Sequence, residues 1–298
     1  MSRPEQQVID LSFIIFSGGE ACGLCLLSAV IKEGQHYLTS YVQPIHAPIF
    51  LSSATKKLIK RCCSLLINSL FDITRSNLSM PLTIQQGPIG MRKDVFCSEW
   101  HHQALNIGAS CNLQYDMYVD LKQSLKEIKS FYRKSYKPLI NKGLREWKLE
   151  ILSSETINRS TWEEFRLLHK EVAGKVTRSI ESWNIQYEMI EQGSAFMVSS
   201  RDIESSKLIG GGLFQYTKHE GIYSVAAYDR SLFDNAIAHP VQHLAIEHMK
   251  SLGLIWYRIG EKLYPQSNPS PTQKEIDISK FKEGFCSKII PRMILEIN

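Results

Sequence analysis

Residues 195–229 read AFMVSSRDIESSKLIGGGLFQYTKHEGIYSVAAYD. Three runs rich in aliphatic and aromatic residues, AFMVSS, KLIGGGLFQYT and GIYSVAAYD, are separated by short polar clusters, the pattern of successive β-strands. The His219-Glu220-Gly221 turn joins the last two as in a hairpin. Gly210, Gly211 and Gly212 interrupt the middle run. Glycine inside a strand marks a bulge, or the close approach of another backbone or a ligand. It is no dinucleotide fingerprint, because GxGxxG ahead of a helix is missing.

Outward from these strands the pattern alternates. On the N-terminal side, TWEEFRLLHKEVAG reads as a helix capped by Ser160 or Thr161, with Glu163 or Glu164 near the third position. SIESWNIQYEMIEQG is a second helix, stopped by Gly193. On the C-terminal side a helix spans about residues 235–251, with Ile237, Val241, Leu244, Ala245 and Leu252 on its buried face. LIWYRIG follows as a strand, and residues 264–279 read as a polar, proline-containing loop long enough to be suspected of function. SKIIPRMILEI is the last strand. Helix pair, three strands, helix, strand and final strand make an α/β order with a mixed sheet.

The N-terminal third also alternates. VIDLSFIIF reads as one strand, and GLCLLSAVIKEG with HYLTSYVQPI as a hairpin turning at Glu33-Gly34. Ser52 or Ser53 caps a helix to about Leu70, with Leu58, Cys62, Leu65, Leu66 and Leu70 on one face. LTIQQGPI is a strand, SEWHHQALNIG a helix ended by Gly108, NLQYDMYVDL a strand and KLEIL a short one.

A chain of 298 residues has room for two domains. A net charge of +5 is weaker than the footprint of a dedicated nucleic-acid binder and suits an anionic small substrate. Seven cysteines cannot all pair. Cys22 and Cys25 form one CxxC, with no second pair to complete a zinc site. The thiols therefore read as reduced and buried, which points to the cytoplasm. The first twelve residues lack a signal-peptide pattern, and the apolar run from Leu11 to Phe16 is too short to span a bilayer.

Two stretches carry charge chemistry. FYRKSYKPLINKGLREW, residues 131–147, holds five cations and four aromatics. Lys122, Lys126, Lys129, Arg133 and Lys137 fall at helical steps on one face, and Pro138 should kink or end that helix. Their mutual repulsion leaves two readings: a solvated basic face, or an anion site to which Arg145 is brought by the kink. The second stretch is Phe281-Lys282-Glu283-Gly284-Phe285. A lysine between aromatics presents one positive charge in a water-poor place and could stabilise an oxyanion, and Gly284 admits a ligand closely. The alternative is a strand entrance with both rings in the core and Lys282 exposed. His239 and His243 lack the HExxH order and a third ligand, so no metal site is expected. Neither a GxSxG elbow nor a phosphate-cradling loop occurs.

With these pieces in order, the chain resembles the Fem-type peptidyltransferases of the GNAT acyltransferase superfamily. The resemblance runs over residues 95–298, through YDMYVDLKQSLKEIKSFYRKSYKPLINKGLREWKLEIL, GGGLFQYTKHEGIYSVAAYDR, HPVQHLAIEHMKSLGLIWYRIG and FKEGF. It implies two GNAT-like domains, 1–120 and 121–298, each a mixed, mostly antiparallel sheet flanked by helices. It also implies transfer of an acyl or aminoacyl group to an amine on a diphosphate-bearing envelope precursor, of peptidoglycan or sugar-nucleotide type. Lys282 maps to the lysine implicated in the reaction. Phe281, Arg133, Lys134, Lys137, Arg145, Tyr228 and Arg230 become expected substrate contacts. No cofactor is expected to be held tightly; the donor, an aminoacyl-tRNA or an acyl-CoA, is a co-substrate. DNAIAHPVQH stands where GNAT acetyltransferases carry the glycine-rich turn for acetyl-CoA, which favours the tRNA ester; the absent coiled-coil arm favours the thioester. Expected partners are the phosphorylated precursor, a tRNA acceptor end and a peripheral membrane surface. The rival readings are a CoA-dependent sugar N-acetyltransferase of surface polysaccharide synthesis, a non-catalytic binding protein of the same fold and a nucleic-acid-binding module.

Overall fold

The computed structural model describes residues 7–32, 35–40, 44–77, 82–85 and 97–297. The chain divides into two compact units. Unit 1 is Met1–Gln114 with Pro291–Asn298, and unit 2 is Tyr115–Ile290. The return of the last residues to unit 1 leaves no mark in the sequence pattern.

Unit 1 opens with β1 (Gln7–Asp10), β2 (Phe13–Ser17), β3 (Glu20–Cys25), β4 (Ser28–Lys32) and β5 (Gln35–Thr39). The run VIDLSFIIF is two strands, not one. The Asp10 carboxylate accepts from the Ser12 N–H at 2.9 Å, a local turn that separates β1 from β2. β1 then pairs with β4, and β2 with β3. The β4–β5 hairpin runs from Ser28↔Thr39 to Lys32↔Gln35. Its Glu33-Gly34 turn lies outside the described residues.

β6 (Ile45–His46), β7 (Ile49–Phe50), α1 (Lys56–Asn77), β8 (Leu82–Gln85) and α2 (Glu99–Asn106) follow. Of the expected strand LTIQQGPI, residues 86–89 lie outside the described residues. Thr55, not Ser52 or Ser53, caps α1: its hydroxyl accepts from the Leu58 N–H at 3.2 Å. Cys63, Ile67 and Leu70 enter the core with Ile84, Trp100 and Leu295. Leu65, expected on the inner face, is exposed. The buried stripe starts from Cys63, one residue round the helix from Cys62.

β9 (Ser110–Asp120) leads into unit 2, which contains α3 (Leu125–Phe131), α4 (Tyr136–Glu146), β10 (Trp147–Leu152), α5 (Arg159–Ala173), α6 (Ile180–Glu191), β11 (Ala195–Asp202), β12 (Leu208–Tyr216) and β13 (Glu220–Tyr228). A 3-10 turn at Arg230–Asn235, α7 (Ala238–Ser251), β14 (Trp256–Glu261), α8 (Gln273–Glu283) and β15 (Lys288–Ile297) complete the chain. The unit 2 sheet has the order β10-β11-β12-β13-β14-β9. Every pair is antiparallel except β13–β14. Alternation along β11 sends Phe196 and Val198 to a core shared with α3, α4 and α7, and Ala195 and Met197 to one shared with α5 and α6. Asn158, rather than Ser160 or Thr161, caps α5, accepting from the Thr161 N–H at 2.9 Å.

Two expectations from the sequence fail here, each for a local reason. The basic helix breaks at Tyr132–Ser135, well before Pro138. Proline is the third residue of α4, in the first turn, where a helix needs no N–H from it. The Arg133 N–H, released from helical bonding, donates to the Gly284 carbonyl at 2.8 Å. The five cations therefore do not share a face. The expected loop 264–279 is also shorter, because Thr272 and Glu275 form a capping box that starts α8. FKEGF is the end of that helix, not a strand entrance.

Tyr136 lies flat against Gly284, where an added Cβ would stand 2.2 Å from the ring. The close approach at this glycine is thus made by a side chain of α4 and not by a ligand. Gly284→Ala should lower the unfolding free energy by about 1–3 kcal/mol, the usual range for overpacking. Combined with Tyr136→Ala it should cost less than the sum of the two single changes. Urea denaturation of the four proteins measures the difference.

Candidate active site

β13 and β14 run parallel, yet they are paired only over Glu220–Ile222 against Trp256–Arg258. Beyond that point both strands continue and separate. Each carries a bulge just past the split. Leu213 opposes Val225 and Phe214 opposes Tyr223, so Ser224 is the extra residue on β13. Arg258 opposes Tyr118 and Gly260 opposes Met117, so Ile259 is the extra residue on β14. A bulge reverses the side to which later residues point. Tyr223 and Tyr228 are five apart and would face opposite sides of a regular strand. The bulge brings them to one side, and their hydroxyls meet at 3.1 Å.

Two of the three glycines of β12, Gly210 and Gly212, make room for these rings; Gly211 faces Met197 on the other side. A Cβ on Gly210 would stand 2.6 Å from Tyr228, and one on Gly212 3.1 Å from Tyr223. The close approach anticipated at this glycine run is therefore by tyrosine rings. Beneath them, Gln242 of α7 accepts from the Tyr257 hydroxyl at 2.7 Å. Burial pushes Tyr223 up to about 12, against hydrogen bonds with Tyr228 and Gln242 that pull it down. Burial likewise holds Tyr228 well above the ordinary tyrosine range. Both hydroxyls are neutral at physiological pH. When one donates to the other, the second still has a proton to give.

Lys282 comes from the last turn of α8. Its ammonium is 5.2 Å from the centre of the Tyr223 ring. Gly260 is what lets it lie there: an added Cβ would be 2.8 Å from the Lys282 Nζ and 2.9 Å from its Cδ. Gly260 also has φ +150°, a conformation side-chain-bearing residues rarely adopt. Burial pulls the Lys282 ammonium below the ordinary lysine range. The Glu261 carboxylate acts the other way, and the Arg258 guanidinium adds to the lowering. Arg258 is itself tied to Asp116 at 2.7 Å. Lys282, Glu261, Glu275 and Ser279 border an open concavity of about 300 Å³.

The ammonium is not wedged between Phe281 and Phe285. Those rings turn to the other side of the helix end and pack on Tyr136 and His239. Burial, helped by Arg133, drops His239 to about 4, so its imidazole is neutral. His243 accepts from or donates to the Tyr132 hydroxyl at 3.3 Å and lies 3.2 Å from Glu247.

Arg133 reaches the FKEGF turn, donating to the Lys280 carbonyl at 2.9 Å. Lys134, Lys137, Arg145 and Arg230 are exposed, and none of them borders the concavity at Lys282. Sequence reasoning missed Tyr223, Gly260, Glu261 and Gln242. The one available signal was Gly260, a lone glycine ending an apolar strand.

No protein-family model and no curated protein sequence matches the chain. Solved structures do. FemX is 12% identical, with a TM-score of 0.65 over 96% of this chain and 88% of that one. The C-terminal domain of a putative lysylphosphatidylglycerol synthetase from Agrobacterium fabrum is 11% identical, with a TM-score of 0.61 over 96% and 84%. A tandem GNAT protein from the clavulanic acid biosynthesis pathway is 13% identical, with a TM-score of 0.53 over 100% and 85%. At these identities the likeness is one of fold: the chain has the fold of Fem-type and tandem GNAT proteins.

A buried ammonium costs stability while it is charged. For Lys282 the unfolded chain holds its proton up to the ordinary 10.5, and the folded chain releases it earlier. Stability should therefore climb as pH rises through that window. Lys282→Met should be at least as stable as the parent at neutral pH and should lack part of the climb. Urea denaturation at a series of alkaline pH values reads both.

Proposed function

We propose that the chain is an N-acyltransferase that joins an acyl or aminoacyl group to an amine on a phosphate-bearing precursor of the cell envelope. The observation that carries this is the Lys282 ammonium, held at a sheet of this fold against the ring of Tyr223, whose hydroxyl meets that of Tyr228.

The chemistry follows from those groups. The acceptor's nitrogen lone pair attacks the acyl carbonyl carbon, and the carbonyl π electrons move to oxygen. Fixed donors aimed at that developing charge lower the barrier most. Lys282 supplies a full positive charge, and the Tyr223–Tyr228 pair its one uncommitted hydroxyl proton. Collapse of the tetrahedral species breaks the bond to the leaving oxygen or sulfur, which takes up the proton given up by the attacking nitrogen, so the transfer is proton-neutral overall. Glu261, beside the concavity, offers a carboxylate to the acceptor's ammonium before it loses its proton. Tyr228 lines the split, and Phe281 holds the helix end that presents Lys282. Arg133, Lys134, Lys137, Arg145 and Arg230 are the cations on this unit available to precursor phosphates.

An aminoacyl ester is favoured over acyl-CoA as donor. A CoA pyrophosphate would seek the first N–H groups of α7. There Pro240 has no N–H to give, and its ring fills the space beside Gly143 of α4, 2.7 Å from where a Cβ would be. The donor is a co-substrate and not a resident cofactor.

Lys282→Ala should cut turnover by about 10²–10³-fold, the cost of one oxyanion donor, while thermal unfolding stays unchanged. Unchanged turnover would remove Lys282 from the mechanism. Thermal shifts with CoA, a UDP-sugar and an aminoacyl-tRNA, run side by side, should raise the midpoint for the ester donor and leave it in place with CoA. A shift with CoA alone would select the thioester reaction.

A further inference from the structure

Unit 1 carries a surface that plays no part in the chemistry above. The small sheet β2-β3-β7 aligns Ile14, Leu24 and Ile49 in one cross-strand row. Ile14 is 56% exposed, and Phe16, two residues along the same strand face, is 61% exposed. Leu51 follows β7, is 56% exposed, and donates its N–H to the Cys22 carbonyl of β3 at 3.0 Å. Large apolar side chains thus project together from a sheet too small to bury both its faces. Contiguous exposed apolar surface of this kind marks a contact with another phase or molecule.

The same segment leads directly into a block of charge. The Ala54 N–H donates to the Leu51 carbonyl, and Thr55 caps α1. The helix begins with Lys56, Lys57, Lys60 and Arg61, all exposed, and its first turn contains no acidic residue. This is the positive end of the helix dipole, where cations are disfavoured. The four also sit three or four residues apart, so they repel one another. Among the described residues no carboxylate lies within ion-pair distance of any of them. An anionic partner would relieve both penalties.

We propose that β2, β7 and the first turns of α1 form a docking surface for an anionic lipid bilayer. Side chains such as Phe16, Ile14 and Leu51 enter the headgroup boundary, and the four cations meet lipid phosphates beside them. The combination excludes a purely electrostatic partner. A nucleic acid would use the cations and aromatic faces, but it gives no reason for protruding aliphatic chains. Among the described residues no helix is long and apolar enough to cross a membrane, and the proposed contact needs none. The proposal is independent of the acyl-transfer reading, since it uses no residue of that site.

Vesicle co-sedimentation of the full chain tests it. Vesicles of phosphatidylcholine with phosphatidylglycerol should bind about tenfold or more tightly than phosphatidylcholine alone. Lys56→Glu with Lys60→Glu, and separately Ile14→Ser with Phe16→Ser, should each lower that binding by about tenfold or more while the thermal midpoint holds. A Phe16→Trp variant gives an independent reading: its fluorescence should shift to the blue on anionic vesicles. Equal binding to both vesicle types, or no effect of the apolar pair, would overturn the proposal. So would an emission spectrum of the tryptophan variant that does not move. Binding of tRNA that depends on the lysines, with no vesicle binding, would assign the surface to nucleic acid instead.

Discussion

The parting of two parallel strands after three paired residues is the constraint on which the rest of unit 2 turns. A fully paired β13 and β14 would close the sheet at this point. The bulges at Ser224 and Ile259 do more than end the pairing. They bring Tyr223, Tyr228 and Gly260 to one face, above the α7 core. The tyrosine hydroxyls, the lysine stem and the buried Gln242 amide all depend on this local loss of register. Gly210 and Gly212 of β12 are needed for the same reason, since the Tyr228 and Tyr223 rings lean across them.

A second dependence links the broken basic helix to the lysine. The chain between α3 and α4 is not idle: the Arg133 N–H and guanidinium hold the Gly284 and Lys280 carbonyls, and the Tyr136 hydroxyl donates to the Phe281 carbonyl at 3.0 Å. These contacts add donors to the last carbonyls of α8 and to that of its Gly284 cap. They also fix the rotation of its last turn. Phe281 and Phe285 face α4 and His239, so Lys282 must leave on the opposite side, toward Tyr223 and Gly260. The basic stretch thus aims the lysine, whatever else its outward cations meet.

This explains which parts were legible in the sequence. The order of elements could be read because the central unit 2 strands are continuous apolar runs, buried along β11 and β12, and because α3, α5, α6 and α8 begin on capping residues. FKEGF could be marked as one candidate unit. Its surroundings could not be read, because a ring at position 281 gives no hint of which side of a helix end its neighbour takes. The odd spacing of Tyr223 and Tyr228 argues against their meeting unless the bulge is known, and bulges carry little local signal. Pro138 misled because the same residue that breaks a helix interior suits a helix's first turn. In unit 1, the Asp10–Ser12 turn split a run that reads as one strand.

The charges around the concavity sharpen the chemical reading. A pocket built to bind only anions would gather the cations of the basic stretch around Lys282. Instead Lys282 stands beside Glu261 and Glu275, with Arg258 shared between Asp116 at 2.7 Å and Glu261 at 3.5 Å. One positive and two negative groups suit a reaction in which an acceptor arrives as an ammonium and an oxyanion then develops a few ångströms away. The Glu261 carboxylate also offsets part of the cost of burying the lysine. In the proposed reaction, phosphate recognition would fall to cations outside the concavity, where the exposed residues of α4 stand, and the two tasks would not compete for one residue.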